Sequence, residues 1–266
     1  MKRRRTLRGG MAALAIALAA VSGGPAQAQT SPTIVLVHGA FADTTSWSSV
    51  AALLRGRGYR VVTPDNPLRG PAYDAAAVQR ALDTISGPMV LVGHSYGGFV
   101  ISNVHDPQVE SLVYIAAFAP VQGEIAQAAL DPIRFPGSQL LPPALQVKVV
   151  DDPQGIAGKN IDGYVAPASF NAVFAQDVDA ETAADMVAHQ HSIAVAANLE
   201  PSGPPSWPAT PSWYLVSAAD RVIPPSSQRF MAQRMGARTS EIDASHASLV
   251  SRPDDVAAVI EAAIPR

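Results

Sequence analysis

The residues of this chain best suited to chemistry centre on Gly93-His94-Ser95-Tyr96-Gly97, a G-x-S-x-G pattern set between an apolar run and a helix-compatible one. A serine hydroxyl is a weak nucleophile until a base takes its proton, and the base works best when an acid fixes its tautomer. His246 and Asp220 are the candidates. Each lies just beyond the C-terminal end of a short predicted strand, and the order Ser95, Asp220, His246 suits a sheet whose strands all deliver their loops to one edge. Ser95 would attack an acyl carbon, His246 would carry its proton to the leaving alkoxide, and Asp220 would orient the imidazole and stabilise its cation. Asp243 is the alternative acid, disfavoured because it sits on the strand leading into His246. Negative charge on the acyl oxygen calls for two backbone N–H donors: Tyr96, next after the serine, and Ala40, presented by a turn at Gly39.

The other histidines carry weaker signals. His38 and His94 flank the site and are expected to hold loops by hydrogen bonds. His105 is expected to end and cap a helix, where a cation is favoured. His189 and His191 are two apart, which places them on different faces of a helix and argues against a metal pair. The chain has no cysteine, so it has no disulfide and no thiolate ligand. No cofactor and no metal are expected.

These groups need elements to position them. Thr33–His38, Arg60–Thr63, Met89–Val92, Val109–Phe118, Trp213–Val216 and Thr239–Ile242 read as short strands, several of them apolar almost throughout. Helices are predicted over Trp47–Arg57, Tyr73–Ile85, Pro225–Met235 and Asp254–Ala263, with a fifth opening directly after Ser95. Buried strands alternating with helices predict an α/β fold: a mostly parallel sheet covered by helices on both faces. Gly93 and Gly97 would let strand and helix cross closely behind the serine. Between 119 and 211 the chain turns rich in Pro, Gly, Gln and Asn, with no clear strand, and Val178–Ala197 is the best helical candidate. That stretch reads as an inserted cap without a core of its own, closed by a stiff PSGPPSWPATP segment. The expected organisation is therefore 29–118 and 212–266 as two parts of one core, with 119–211 as the cap.

Residues 1–28 have the pattern of a secretory signal. Lys2, Arg3, Arg4, Arg5 and Arg8 precede an apolar stretch from Met11 to Val21, and Ala26-Gln27-Ala28 offers a cleavage site before Gln29. Arg4-Arg5 loosely resembles a twin-arginine signal without its usual preceding Ser or Thr. A periplasmic or secreted location is expected. Without that segment the chain has fourteen basic and twenty-two acidic residues, a formal charge of −8. Together with the lack of any basic stripe, this argues against nucleic acid or an anionic membrane as partner.

The segments IVLVHGAFADTTSW, LVGHSYGG, YLVSAADRVIPP and DASHASLVSRPDDVAAVI resemble the α/β-hydrolase superfamily. More narrowly, they are similar to the branch of plant methyl-ester esterases of the salicylate-binding type and hydroxynitrile lyases, with their bacterial relatives. The resemblance covers about 33–118 and 213–264, is weak across the cap, and lacks the first two strands of the full fold. It implies an α/β-hydrolase fold, a catalytic Ser95, Asp220 and His246, and oxyanion donors at Ala40 and Tyr96. The implied activity is hydrolysis of a small, uncharged, partly hydrophobic carboxylic ester. A carbon–carbon lyase and a non-catalytic small-molecule binder are the alternatives. In the lyases of this branch a lysine follows the catalytic histidine and a threonine stands where this chain has Gly39. Ala247 and Gly39 point instead to hydrolysis.

Overall fold

The computed structural model describes residues 31–265; the leader assigned to 1–28 lies outside them. The chain runs β1 (Thr33–Val37), α1 (Ser48–Gly56), β2 (Val61–Val62), α2 (Pro71–Leu82), β3 (Met89–His94), α3 (Tyr96–Ser102) and β4 (Val109–Ile115). After β4 come β5 (Leu145–Ile156), β6 (Lys159–Val165), α4 (Pro167–Phe174), α5 (Ala180–Ala188) and β7 (Ile193–Ala194). The last part is β8 (Ser212–Ser217), α6 (Pro225–Met235), β9 (Arg238–Ile242), α7 (Ser248–Ser251) and α8 (Pro253–Ala262). Strands β2-β1-β3-β4-β8-β9 form one sheet, every neighbouring pair parallel.

The apolar strands follow from this arrangement. Side chains alternate across a strand, and here both faces are covered, so both sets must be apolar. Val35, Val37, Leu91, Leu112 and Tyr114 pack with Val78 and Leu82 of α2 and Phe99 and Val100 of α3. Ile34, Leu36, Val90, Val92, Val113 and Ile115 pack on the other face with Val50 and Leu54 of α1 and Val256 and Ile260 of α8. Only β9, at the sheet edge, is largely exposed; its polar RTSEI sequence discourages pairing with another chain.

The segment between β4 and β8 differs from its sequence reading in two respects. It contains a second, antiparallel sheet, β5-β6-β7, where no strand is expected. The predicted helix over Val178–Ala197 is only α5, followed by β7 and a turn of 3-10 helix, and α4 precedes it. Val165, Phe170, Phe174 and Ile193 from this segment join the same buried cluster as β1 and α3. The second sheet is fastened by Arg69, in the loop before α2, whose guanidinium donates to both carboxylate oxygens of Asp162 at 2.7 and 2.9 Å.

Candidate active site

At the end of β3 the chain must leave the sheet and enter α3 within one residue. Ser95 does so at φ 53°, ψ −123°, in the left-handed half of the map where a side chain is strained. The glycines around it are there for space. A Cβ on Gly93 would stand 2.6 Å from the Gly97 carbonyl group, and one on Gly97 would stand 2.5 Å from the carbonyl oxygen of Val37. The Ser95 carbonyl accepts from the N–H groups of Gly98 at 3.0 Å and Phe118 at 3.1 Å, which clamps the turn. The hydroxyl is thereby lifted out of the sheet and held in place.

The structure brings Asp220 and His246 to this hydroxyl from loops at the same edge. Asp220 lies three residues beyond β8 and His246 four beyond β9. The two loops are joined by Ala218 N–H to the Ile242 carbonyl at 2.8 Å and Ala219 N–H to the Ala244 carbonyl at 3.0 Å. His246 Nε2 is 2.8 Å from Ser95 Oγ, and its Nδ1 is 2.7 Å from Asp220 Oδ2. A carboxylate accepts, so Nδ1 carries the hydrogen and Nε2 is left to receive the serine proton. Asp220 also takes N–H bonds from Val222 at 2.7 Å and Ile223 at 3.0 Å, and the Gln228 amide at 2.7 Å. With His246 Nδ1–H, four donors fix the orientation of this buried side chain. Asp243, the alternative acid, is exposed just past β9 and makes no bond to His246.

Ala40 and Tyr96 stand beside the hydroxyl and, with Ser95, line one cavity of about 320 Å³. Tyr96 is the first residue of α3, so its N–H has no intrahelical acceptor. Gly39 approaches the serine so closely that an added Cβ would be 2.6 Å from Ser95 Cβ. The cavity walls come mostly from the segment between β4 and β8, including Leu130, Leu140, Leu145, Ile193 and Val195. Among the described residues no charged side chain lines it.

The remaining histidines divide. His94 Nε2 donates to the His246 carbonyl at 2.9 Å, and the two rings lie 4.8 Å apart. Burial, then the neighbouring His246, push the His94 imidazole well below its ordinary range, so it stays neutral. His38 Nδ1 donates to the Gly39 carbonyl at 2.9 Å, and its Nε2 accepts the Asn66 N–H at 3.1 Å. His105 does not cap α3, which ends at Ser102; it bonds the Pro204 carbonyl at 2.9 Å. His189 caps α5 through the Asp185 carbonyl at 2.9 Å. His191 sits instead near His38 and Asp65, with one ligand atom of each within 4.8 Å of the others. His38 Nε2 has one lone pair, and the Asn66 N–H occupies it, so this trio is not arranged to hold a metal.

Three supporting residues carry no signature in the sequence. Asp74 on α2 accepts the Tyr96 hydroxyl at 2.9 Å and the Arg69 N–H at 3.0 Å, anchoring Tyr96 next to Ser95. Burial raises the Asp74 carboxyl above its ordinary value against those hydrogen bonds. Asp177 accepts the Ser245 N–H at 2.9 Å and so steadies the histidine loop. Phe174 stands edge-on to His246 at 4.8 Å, and its carbonyl accepts the Ala247 N–H at 3.1 Å. Nothing short of the folded chain brings these residues together.

A family model described as "Alpha/beta hydrolase family" matches residues 34–259. A carbendazim hydrolyzing esterase from a Nocardioides species is 38% identical over 111 residues, covering 36% of this chain and 46% of that protein. A pyrethroid hydrolase from Sphingobium wenxiniae is 32% identical over 104 residues, covering 34% of this chain and 37% of that protein. The chain thus spans less than half the length of these curated relatives. Among solved structures, polyneuridine aldehyde esterase superposes with a TM-score of 0.73 at 16% identity, covering 87% of this chain and 98% of that one. At that identity the likeness is one of fold.

Proposed function

The chain belongs to the alpha/beta hydrolase family, and from that premise we propose that it hydrolyses small, uncharged carboxylic esters through an acyl-enzyme on Ser95. The observation that carries the proposal is the 2.8 Å and 2.7 Å relay from Ser95 through His246 to Asp220, opening on an uncharged cavity. Ser95 Oγ bonds to the acyl carbon as its proton passes to His246 Nε2. The oxyanion that forms is met by the N–H groups of Tyr96 and Ala40. His246 then gives the proton to the alkoxide as the carbon–oxygen ester bond breaks. Water, deprotonated by the same nitrogen, releases the acid and restores the serine. Asp220 keeps Nδ1 protonated throughout. The leader-like segment at 1–28 extends the proposal to an enzyme working outside the cytoplasm.

Lyase chemistry fits less well. A lyase of the resembling branch places a cation after the histidine, to meet departing cyanide, and a threonine near the serine. Ala247 is buried and carries no charge, and an added Cβ at Gly39 would stand 2.6 Å from Ser95 Cβ, which leaves no room for a threonine. Side-by-side assays test the choice. Purified protein should hydrolyse p-nitrophenyl butyrate and release no cyanide from mandelonitrile above the buffer rate. Cyanide release without ester turnover would overturn the proposal.

A further inference from the structure

The outer part of the β5–β6 hairpin turns apolar side chains to solvent, while its Val165 end is buried. Its register pairs Leu145 with Val165, Val147 with Gly163 and Val149 with Ile161. Strand alternation puts these six residues on one face and Asp162 on the other. On an ordinary half-buried hairpin the apolar face turns inward and the charges outward. Here Asp162 is fully buried, bonded to Arg69, while Val147, Val149 and Ile161 are 61%, 69% and 54% exposed. The exposed face is also continuous with the site. Leu145, Val147 and Gly163 line the cavity that holds Ser95, as do the exposed Leu141 and Leu199 at its mouth. The Val149–Ile161 pair lies one step further out, roughly 7 Å along the strands.

We infer that this face is an outer subsite for the substrate's distal apolar arm, so that the preferred esters are extended as well as uncharged. The inference rests on the ester-hydrolase reading for its chemistry, and on the unbroken run from cavity wall to hairpin surface for its occupant. A butyryl group would end inside the cavity. A dodecyl chain would emerge through the mouth and lie on Val147, Val149 and Ile161, removing that surface from water. Neither Val149 nor Ile161 lines the cavity itself, so length preference should be separable from catalysis.

The test is the double variant Val149→Thr/Ile161→Thr, which keeps β-branching, and with it the strand, while adding hydroxyls. In the native protein, kcat/KM should be higher for p-nitrophenyl dodecanoate than for the butyrate if the acyl arm occupies the face. It should be higher for dodecyl acetate than for ethyl acetate if the alcohol arm does. The double variant should lose roughly tenfold on the longer ester of that series and keep its rate on the shorter. Ser95→Ala protein titrated with methyl butyrate and methyl dodecanoate provides a readout without turnover. Affinity should rise with chain length and the rise should vanish in the triple variant. Absent ester turnover with length-dependent binding retained would sink the hydrolase reading alone. Equal losses on short and long esters, or no length dependence in rate and binding, would overturn the subsite. So would a dimer that the two threonines dissociate while chain-length preference stays intact, since the face would then belong to a second copy.

Discussion

His94 shows how far a single side chain in this site can be read. Its place before Ser95 suggests a loop-holding role, and the fold gives that role an atom: Nε2–H on the carbonyl of His246. Its Nδ1 is buried without a partner among the described residues. The ring is thus built to be neutral, with burial first and His246 second depressing its pKa well below 6.5. The unfolded chain binds a proton there that the folded protein refuses. Stability is therefore full above about pH 6.5 and falls as pH drops below it, by about 1.4 kcal/mol per pH unit until the folded pKa is reached. Urea unfolding at pH 7, 6 and 5 should show a shallower pH slope for His94→Gln, whose amide keeps the N–H donor without titrating. Identical slopes would remove the argument. Ser95, Asp220 and His246 were legible because each sits just past the end of a strand, in an order that one side of a parallel sheet can use. Asp74 was not, since an acid near the start of a helix is commonplace and only the fold brings it to the Tyr96 hydroxyl.

At the scale of elements, the core strands and helices were legible almost to their ends because burial on both faces leaves little choice of residue. Helix α6 over Pro225–Met235 has the bounds that its closing Gly236 marks, and that glycine is left-handed at φ 65°. The hairpin was hidden for a physical reason. Its apolar face is exposed at Val147, Val149 and Ile161, the opposite face mixes buried Asp162 with exposed Gln146 and Lys148, and Pro153 and Gly155 interrupt the alternation, so no periodic signal points to a core. What fastens it is Arg69. Burial works against the Asp162 carboxylate, but hydrogen bonds from Arg69 and Ser192 outweigh it and hold the pKa below 3.8. The tie is therefore in place above about pH 4 and is lost as pH falls through the folded value. Arg69→Ala leaves Asp162 buried without its cation, at a cost of about 3 kcal/mol. Amides of 145–165 should then exchange with deuterium markedly faster, while those of 89–94 stay protected. Unchanged exchange in the hairpin would mean that its packing, not this ion pair, fixes the cap.

At the scale of the molecule, one topological fact does most to make the site: six parallel strands carry Ala40, Ser95, Asp220 and His246 to the same edge. Residues up to 151 positions apart in sequence meet within hydrogen-bond distance because each needs only to follow its own strand. That much was legible from strand order. The shape of the cavity was not, because the segment supplying most of its walls depends on long-range contacts with β1, α3 and the Arg69 loop. If this convergence makes Ser95 a nucleophile, steady-state ester hydrolysis should collapse in Ser95→Ala protein. Removing a triad serine costs on the order of 10⁵–10⁶ in kcat where the residues act as a unit. The account predicts a loss of that size with the thermal unfolding midpoint nearly unchanged, since Ser95 packs at a strand end and its strain is relieved by nothing the substitution removes. A Ser95→Ala protein keeping more than a tenth of the native ester rate would contradict it.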